Sequence, residues 1–129
     1  MGLFDNLFKS SAEGGNISKM NWAALTNEAQ MEELVSLSAS KPVLIFKHST
    51  TCGISRMALK NFERDFDLPE TEIELYFLDL LRYRTLSNAI AVKFSVTHQS
   101  PQVLLIKNGK VIYHDSHYSI TIEALKKVL

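Results

Sequence analysis

With a single cysteine, Cys52, in 129 residues, the chain has no means of forming an internal disulfide, and nothing marks it as a disulfide-stapled secreted domain. One thiol and four scattered histidines also fit no usual zinc-ligand spacing. Charge of one sign is missing too: Lys and Arg number 14, Asp and Glu 14, and the formal net charge is zero. No broad field therefore draws the chain onto nucleic acid or an anionic membrane. No apolar run approaches the ~20 residues of a membrane span. Met1 to Lys9 is too short, and too interrupted by Asp5 and Asn6, for a secretion signal. Gly2 follows the initiator, but Asn6 stands where a myristoylation motif wants Ser or Thr. The expected address is the cytosol and the expected state a monomer, with neither nucleic acid nor membrane as partner. Glycine (5) and proline (3) are sparse, and we find no repeat or low-complexity tract.

What is present reads as one α/β domain over residues 21–129 behind a short appendage, 1–20. In the appendage, Leu3, Phe4, Leu7 and Phe8 form a short amphipathic segment, and residues 9–15 read as a flexible connector. Residues 21–25 suggest a short edge strand. Thr26 or Asn27 caps a helix with Met31, Leu34, Val35 and Ser38 inward, ended by Lys41-Pro42. Val43 to Phe46 is a continuous apolar run, expected of a strand buried on both faces. A polar loop leads to Cys52 and a helix with Leu59, Phe62 and Phe66 on one face and Arg56, Lys60 and Arg64 on another, closed by Leu68-Pro69. A strand over 73–80 and a helix over about 85–94 follow, with Leu86, Ala89, Ile90 and Phe94 inward. Gln102 to Lys107, the turn Asn108-Gly109, and Val111 to Tyr113 form a tight hairpin. Ser119 or Thr121 caps a last helix bearing Ile122, Leu125 and Val128. The order predicts a mixed central sheet with helices on both faces.

Cys52 falls at or just before the first residue of its helix. The first amides of a helix lack intrahelical partners and carry partial positive charge, which favours thiolate over thiol. Thr50 and Thr51 offer hydroxyl donors, Gly53 and Ser55 follow, and Lys47, His48 and Arg56 bring positive charge. The competing reading is an inert core cysteine, but a polar loop between Thr51 and Gly53 is poor ground for one.

Two further segments bear on the same chemistry. Pro101 leads into a strand, where a missing ladder donor is tolerated. With a strand–Cys–helix unit beside it, Ser100-Pro101 is the place for a cis peptide whose backbone pairs with an extended substrate. Taken alone, an ordinary trans loop proline is the commoner case. Ser116 and His117 lie between hairpin and last helix. If that helix starts near Ser119, its free amides suit a carboxylate, and His117 could protonate a thiolate. A solvated turn histidine fits the same spacing. His48, His98 and His114 carry less information.

Four separated motifs, 46–55, 83–90, 98–102 and 116–121, together resemble those of the monothiol bacilliredoxins, the YtxJ-like proteins of bacteria, over about residues 22–129. The resemblance implies a thioredoxin-like fold and removal of bacillithiol, a small cysteine-containing thiol, from mixed disulfides on proteins. It implies no bound cofactor, with the low-molecular-weight thiol as co-substrate and S-thiolated proteins as partners. By position Cys52 is then the attacking thiol, Ser55 stands where dithiol relatives carry the resolving cysteine, and Ser100-Pro101 faces substrate. Gly53 departs from the family's usual proline, loosens the helix start, and brings Cys52-Gly53-Ile54-Ser55 near the Cys-Gly-Phe-Ser signature of monothiol glutaredoxins. Two rival readings follow: a redox-silent binding module on the same fold, and an iron–sulfur carrier. Against the latter, the glutaredoxin glycine pair after the hairpin is missing, and residues 115–118 stand in its place.

Overall fold

The computed structural model describes residues 20–129. The appendage and its connector lie outside the described residues, except that Met20, grouped with them by sequence, is buried in the core. The elements in chain order are β1 (Ala23–Ala24), α1 (Ala29–Leu37), β2 (Val43–His48), α2 (Gly53–Asp65), β3 (Glu74–Asp79), α3 (Arg84–Phe94), β4 (Gln102–Lys107), β5 (Lys110–Ser116), a 3-10 turn (His117–Ser119) and α4 (Ile122–Lys126). One five-stranded sheet has the order β1-β3-β2-β4-β5. β3 runs parallel to both β1 and β2, whereas β4 runs antiparallel to β2 and β5. The predicted mixed sheet is therefore the observed one.

Strand alternation sorts the core into two layers. Leu44 and Phe46 of β2 face α2 and α4, joining Ala58, Phe62, Ile122 and Leu125. Val43 and Ile45 face the other way, onto Met31 and Leu34 of α1 and Leu86 and Ile90 of α3. Trp22 anchors the first layer, its ring 5.9 Å from Phe46 and 6.1 Å from Phe62. Its indole Nε1 donates to Glu63 Oε2 at 2.7 Å, so a large apolar body is buried without orphaning its polar atom.

Local signals explain the element ends. The Asn27 side chain accepts from Gln30 N at 3.2 Å, and Gln30 Oε1 accepts from Asn27 N at 3.1 Å, a reciprocal cap on α1. Asn108 (φ 53°) and Gly109 (φ 78°) both adopt the left-handed backbone of a tight hairpin turn. Thr121, not Ser119, caps α4, accepting from Ala124 N at 3.1 Å.

Three boundaries differ from expectation. α2 ends at Asp65 rather than at Leu68-Pro69: Phe66 turns extended, which brings Phe66 and Leu68 against the core. β5 continues past Tyr113, because Asp115 and Ser116 keep register with Val103 and Gln102. The last helix is short, and Val128 lies beyond it.

Candidate redox site

The end of β2, the start of β4 and the end of β5 meet at one edge of the sheet, with Lys47 opposite Gln102 and Gln102 opposite Ser116. The chain leaves β2 through Ser49, Thr50 and Thr51 and delivers Cys52 to the N-cap of α2, in extended backbone (φ −101°, ψ 123°). Cys52 is half-buried, so the sulfur is not lost in the core. Its side chain makes no cap hydrogen bond. It lies in the field of the helix start rather than on a particular amide.

The loop is braced from within. Cys52 N donates to Ser49 O at 3.2 Å, Arg56 N to Cys52 O at 3.0 Å, and Arg56 Nη1 to Thr50 O at 3.2 Å. Thr51 Oγ1 lies 3.5 Å from Ser49 Oγ. Gly53 is exposed, with ordinary room where a Cβ would stand. As the first helical residue after extended Cys52, that position also suits proline, so no backbone requirement demands glycine.

Ser55 is fully buried. Its Oγ lies 2.7 Å from His48 Nδ1 and accepts from Ser49 N at 3.0 Å. Burial, the dominant influence, pushes the His48 pKa down despite the nearby Asp79 and Glu63 carboxylates. The imidazole is thus held in its neutral form, paired with the Ser55 hydroxyl, and the expectation that His48 supplies charge to Cys52 is corrected. Its tie to Ser55 was missed in the sequence, although alternation along β2 already put His48 on the α2 face and Lys47 on the other.

Lys47 is fully buried, and its ammonium is engaged on the α3 side of the sheet. Its Nζ donates to Ser87 O at 3.2 Å and lies 3.4 Å from His98 Nδ1. Burial lowers its pKa to about 8. A lowered lysine pKa means the unfolded chain binds more protons between about pH 8 and the ordinary lysine value near 10.4. The stability cost of burying the ammonium is fully present below pH 8 and relieved as pH rises through that window. Lys47→Met should therefore be at least as stable as the parent at pH 7, and its advantage should shrink by pH 10. Paired urea melts at both pH values measure this. A gap independent of pH would refute it.

The Ser100–Pro101 peptide is cis. Pro101 O accepts from His117 N at 3.1 Å, and His117 holds a left-handed φ of 54°. The structure thus brings Ser100-Pro101 and Ser116-His117 together. It does not provide the expected carboxylate seat at 116–117. α4 begins five residues after His117, the His117 amide is already bonded, and Ser116 N donates to Asp115 Oδ1 at 3.2 Å. His117 instead lines a groove of about 170 Å³ beside α2, with Ile54, Met57, Tyr118, Asn61, Arg64 and Asp65. Among the described residues no group of three or more His, Cys, Asp or Glu is arranged to hold a metal, and no helix is long and apolar enough to cross a membrane.

A β2–loop–Cys–α2 unit and a cis-proline turn at the same end of the sheet, on this strand order, define a thioredoxin-fold protein. Comparison gives the family: a model for monothiol bacilliredoxin BrxC matches residues 23–125, and the chain belongs to that family. It is similar to a candidate oxidoreductase with a thioredoxin fold, at 32% identity and a TM-score of 0.70, over 81% of this chain and 90% of that one. The thioredoxin of Malassezia sympodialis shares the fold at 18% identity and a TM-score of 0.65, over 88% and 91%. Spinach chloroplast thioredoxin f does so at 14% and 0.61, over 82% and 91%. The chain is an oxidoreductase.

Proposed function

We propose that this protein removes a low-molecular-weight thiol of the bacillithiol type from mixed disulfides on proteins. The observation that carries the reading is a lone, half-buried sulfur at a helix start, with a buried serine hydroxyl in the resolving position. In the proposed step the Cys52 thiolate attacks the small thiol's sulfur. A Cys52–small-thiol disulfide forms, the S–S bond of the original mixed disulfide breaks, and the protein thiolate leaves and takes a proton from solvent. One disulfide replaces another, so no external oxidant is needed. Ser55 cannot continue the exchange, and a second small thiol must release the first.

Ser100-Pro101 is read as the backbone that pairs with the substrate chain. The groove beside α2 sets Ile54, Met57 and Tyr118 against Asn61, Arg64 and Asp65, which suits a substrate segment of mixed polarity; an exposed methionine adapts to varied partners. The protein is taken to act as a cytosolic monomer without a bound cofactor, on S-thiolated proteins rather than on nucleic acid or membranes.

The test is intact-mass spectrometry after mixing with a bacillithiol-modified protein. The modified protein should lose the thiol mass while this chain gains it on Cys52. Glutathione-modified substrate, run in parallel, identifies the preferred thiol. No transfer from either substrate would end the proposal.

A further inference from the structure

We propose that Lys47 and His98 are positioning residues, which hold the turn carrying Ser100 and Pro101 in place for the substrate chain from behind the sheet. The inference rests on the substrate-facing reading of that turn. Lys47, Ser87, His98 and Gln102 come from β2, α3, the loop before β4, and β4 itself, and they share one face. Lys47 Nζ bonds Ser87 O and lies 3.4 Å from His98 Nδ1, and Ser87 Oγ lies 3.3 Å from the same nitrogen. A charged lysine has no acceptor capacity, so Nδ1 is the acceptor and the ring's proton sits on Nε2. Burial, Lys47 and Arg84 together lower the His98 pKa, which keeps that acceptor available. Gln102, opposite Lys47 across the β2–β4 pair, donates from Nε2 to Thr97 O at 3.0 Å. Gln102 thus closes the 97–102 segment on itself, and His98 ties that closed turn to Lys47 and Ser87.

The cost of this arrangement points to its purpose. The ion pairs among the described residues are Lys41–Glu74, Arg64–Asp65, Lys93–Glu32 and Lys126–Asp67; Lys47 is in none of them. An ammonium buried without a carboxylate is a poor way to fill space that an apolar side chain would fill more stably. Its contacts go to the Ser87 carbonyl and to the histidine that opens the turn. From the front, His117 N holds Pro101 O. The turn is clamped on two sides, and the rear clamp is built from groups the proposed chemistry does not itself use.

The experiment compares Lys47→Met and His98→Ala with the parent in three readouts: kinetics of thiol removal from a bacillithiol-modified protein, alkylation of Cys52 by iodoacetamide, and amide hydrogen exchange over residues 98–102. His98→Ala serves should Lys47→Met fail to fold. The expected result is a KM about tenfold higher, the scale of one hydrogen bond to a charged group, with kcat and alkylation within about twofold of the parent. Exchange over 98–102 should accelerate. Unchanged KM, or a fall in kcat and alkylation together, would overturn the inference. If the parent itself removes no thiol, the proposed function fails instead, and the exchange arm alone decides whether Lys47 and His98 hold the turn.

Discussion

Cys52→Ser is expected to reduce thiol removal to the uncatalysed rate, a loss of at least about a thousandfold, the scale on which deleting an attacking nucleophile acts. A serine hydroxyl fits the same N-cap, and is a favoured residue there, so the fold should survive or gain slightly. The variant separates chemistry from structure. Its circular dichroism and melting curve should match the parent while no adduct forms. Ser55→Cys is the companion. It places a second sulfur one helical turn from the first, where Ser55 Oγ now sits 2.7 Å from His48 Nδ1. Burial disfavours the imidazolium there, so the new thiol loses its proton to solvent rather than to His48. The resulting thiolate would attack Cys52 Sγ in the adduct, form a disulfide between Cys52 and the introduced cysteine, and expel the small thiol as its thiolate. The expected product is therefore an adduct-free variant lighter by two hydrogens than its reduced form, in place of a stable adduct. A Cys52→Ser protein that still strips thiol at the parental rate would remove the sulfur from the mechanism.

The parts legible in the sequence are those governed by short-range rules. Asn108-Gly109 announced its turn because both residues tolerate positive φ. The run Val43 to Phe46 announced a doubly covered strand, and Phe62 with its neighbours an amphipathic helix. Cys52 could be placed at a helix start because a strand, a polar loop and a helix follow one another without a gap. The errors arose where contacts span the chain or where adjacent residues diverge. Lys47 and His48 both count in sequence as positive charge near Cys52, yet a strand sends consecutive side chains to opposite faces. Period-two alternation from Leu44 and Phe46 was the signal that could have separated them. That Ser87 and His98 would meet Lys47, at sequence separations of 40 and 51, is a consequence of packing α3 and the β4 entry onto one face of β2. No local rule contains it. The expected carboxylate seat at Ser116-His117 is absent because β5 runs three residues further than its apolar alternation suggests, which makes the segment a strand end and a 3-10 turn.

Phe62→Ala should be the most destabilising single change near the site, costing about 3–5 kcal/mol as buried Phe→Ala changes do. Phe62 is 2% exposed and holds α2 on the sheet, its ring 5.6 Å from Phe46, 6.1 Å from Trp22 and 5.8 Å from Phe66. Truncation removes the apolar contact area, leaves a cavity and breaks three aromatic contacts, each worth about 0.5–1.5 kcal/mol beyond area alone in favourable geometry. Because domains of this size are stable by only about 5–15 kcal/mol, the loss is about a fifth of the total or more. It should lower the melting temperature on the order of 10–20 °C. Urea melts followed by Trp22 fluorescence measure it, since this single tryptophan packs directly on the deleted ring. Val92→Ala, at an 80% exposed position on α3, is the matched control and should stay within about 0.5 kcal/mol of the parent. The link to function runs through position. Ser55, Ala58 and Phe62 form the buried face of α2, so the ring that pins the middle of the helix also fixes the turn on which Cys52 is mounted. Loosening it should speed hydrogen exchange along α2 before the sheet is affected. A loss below about 1 kcal/mol would mean that α2 is held elsewhere, and that the placement of Cys52 does not depend on this aromatic layer.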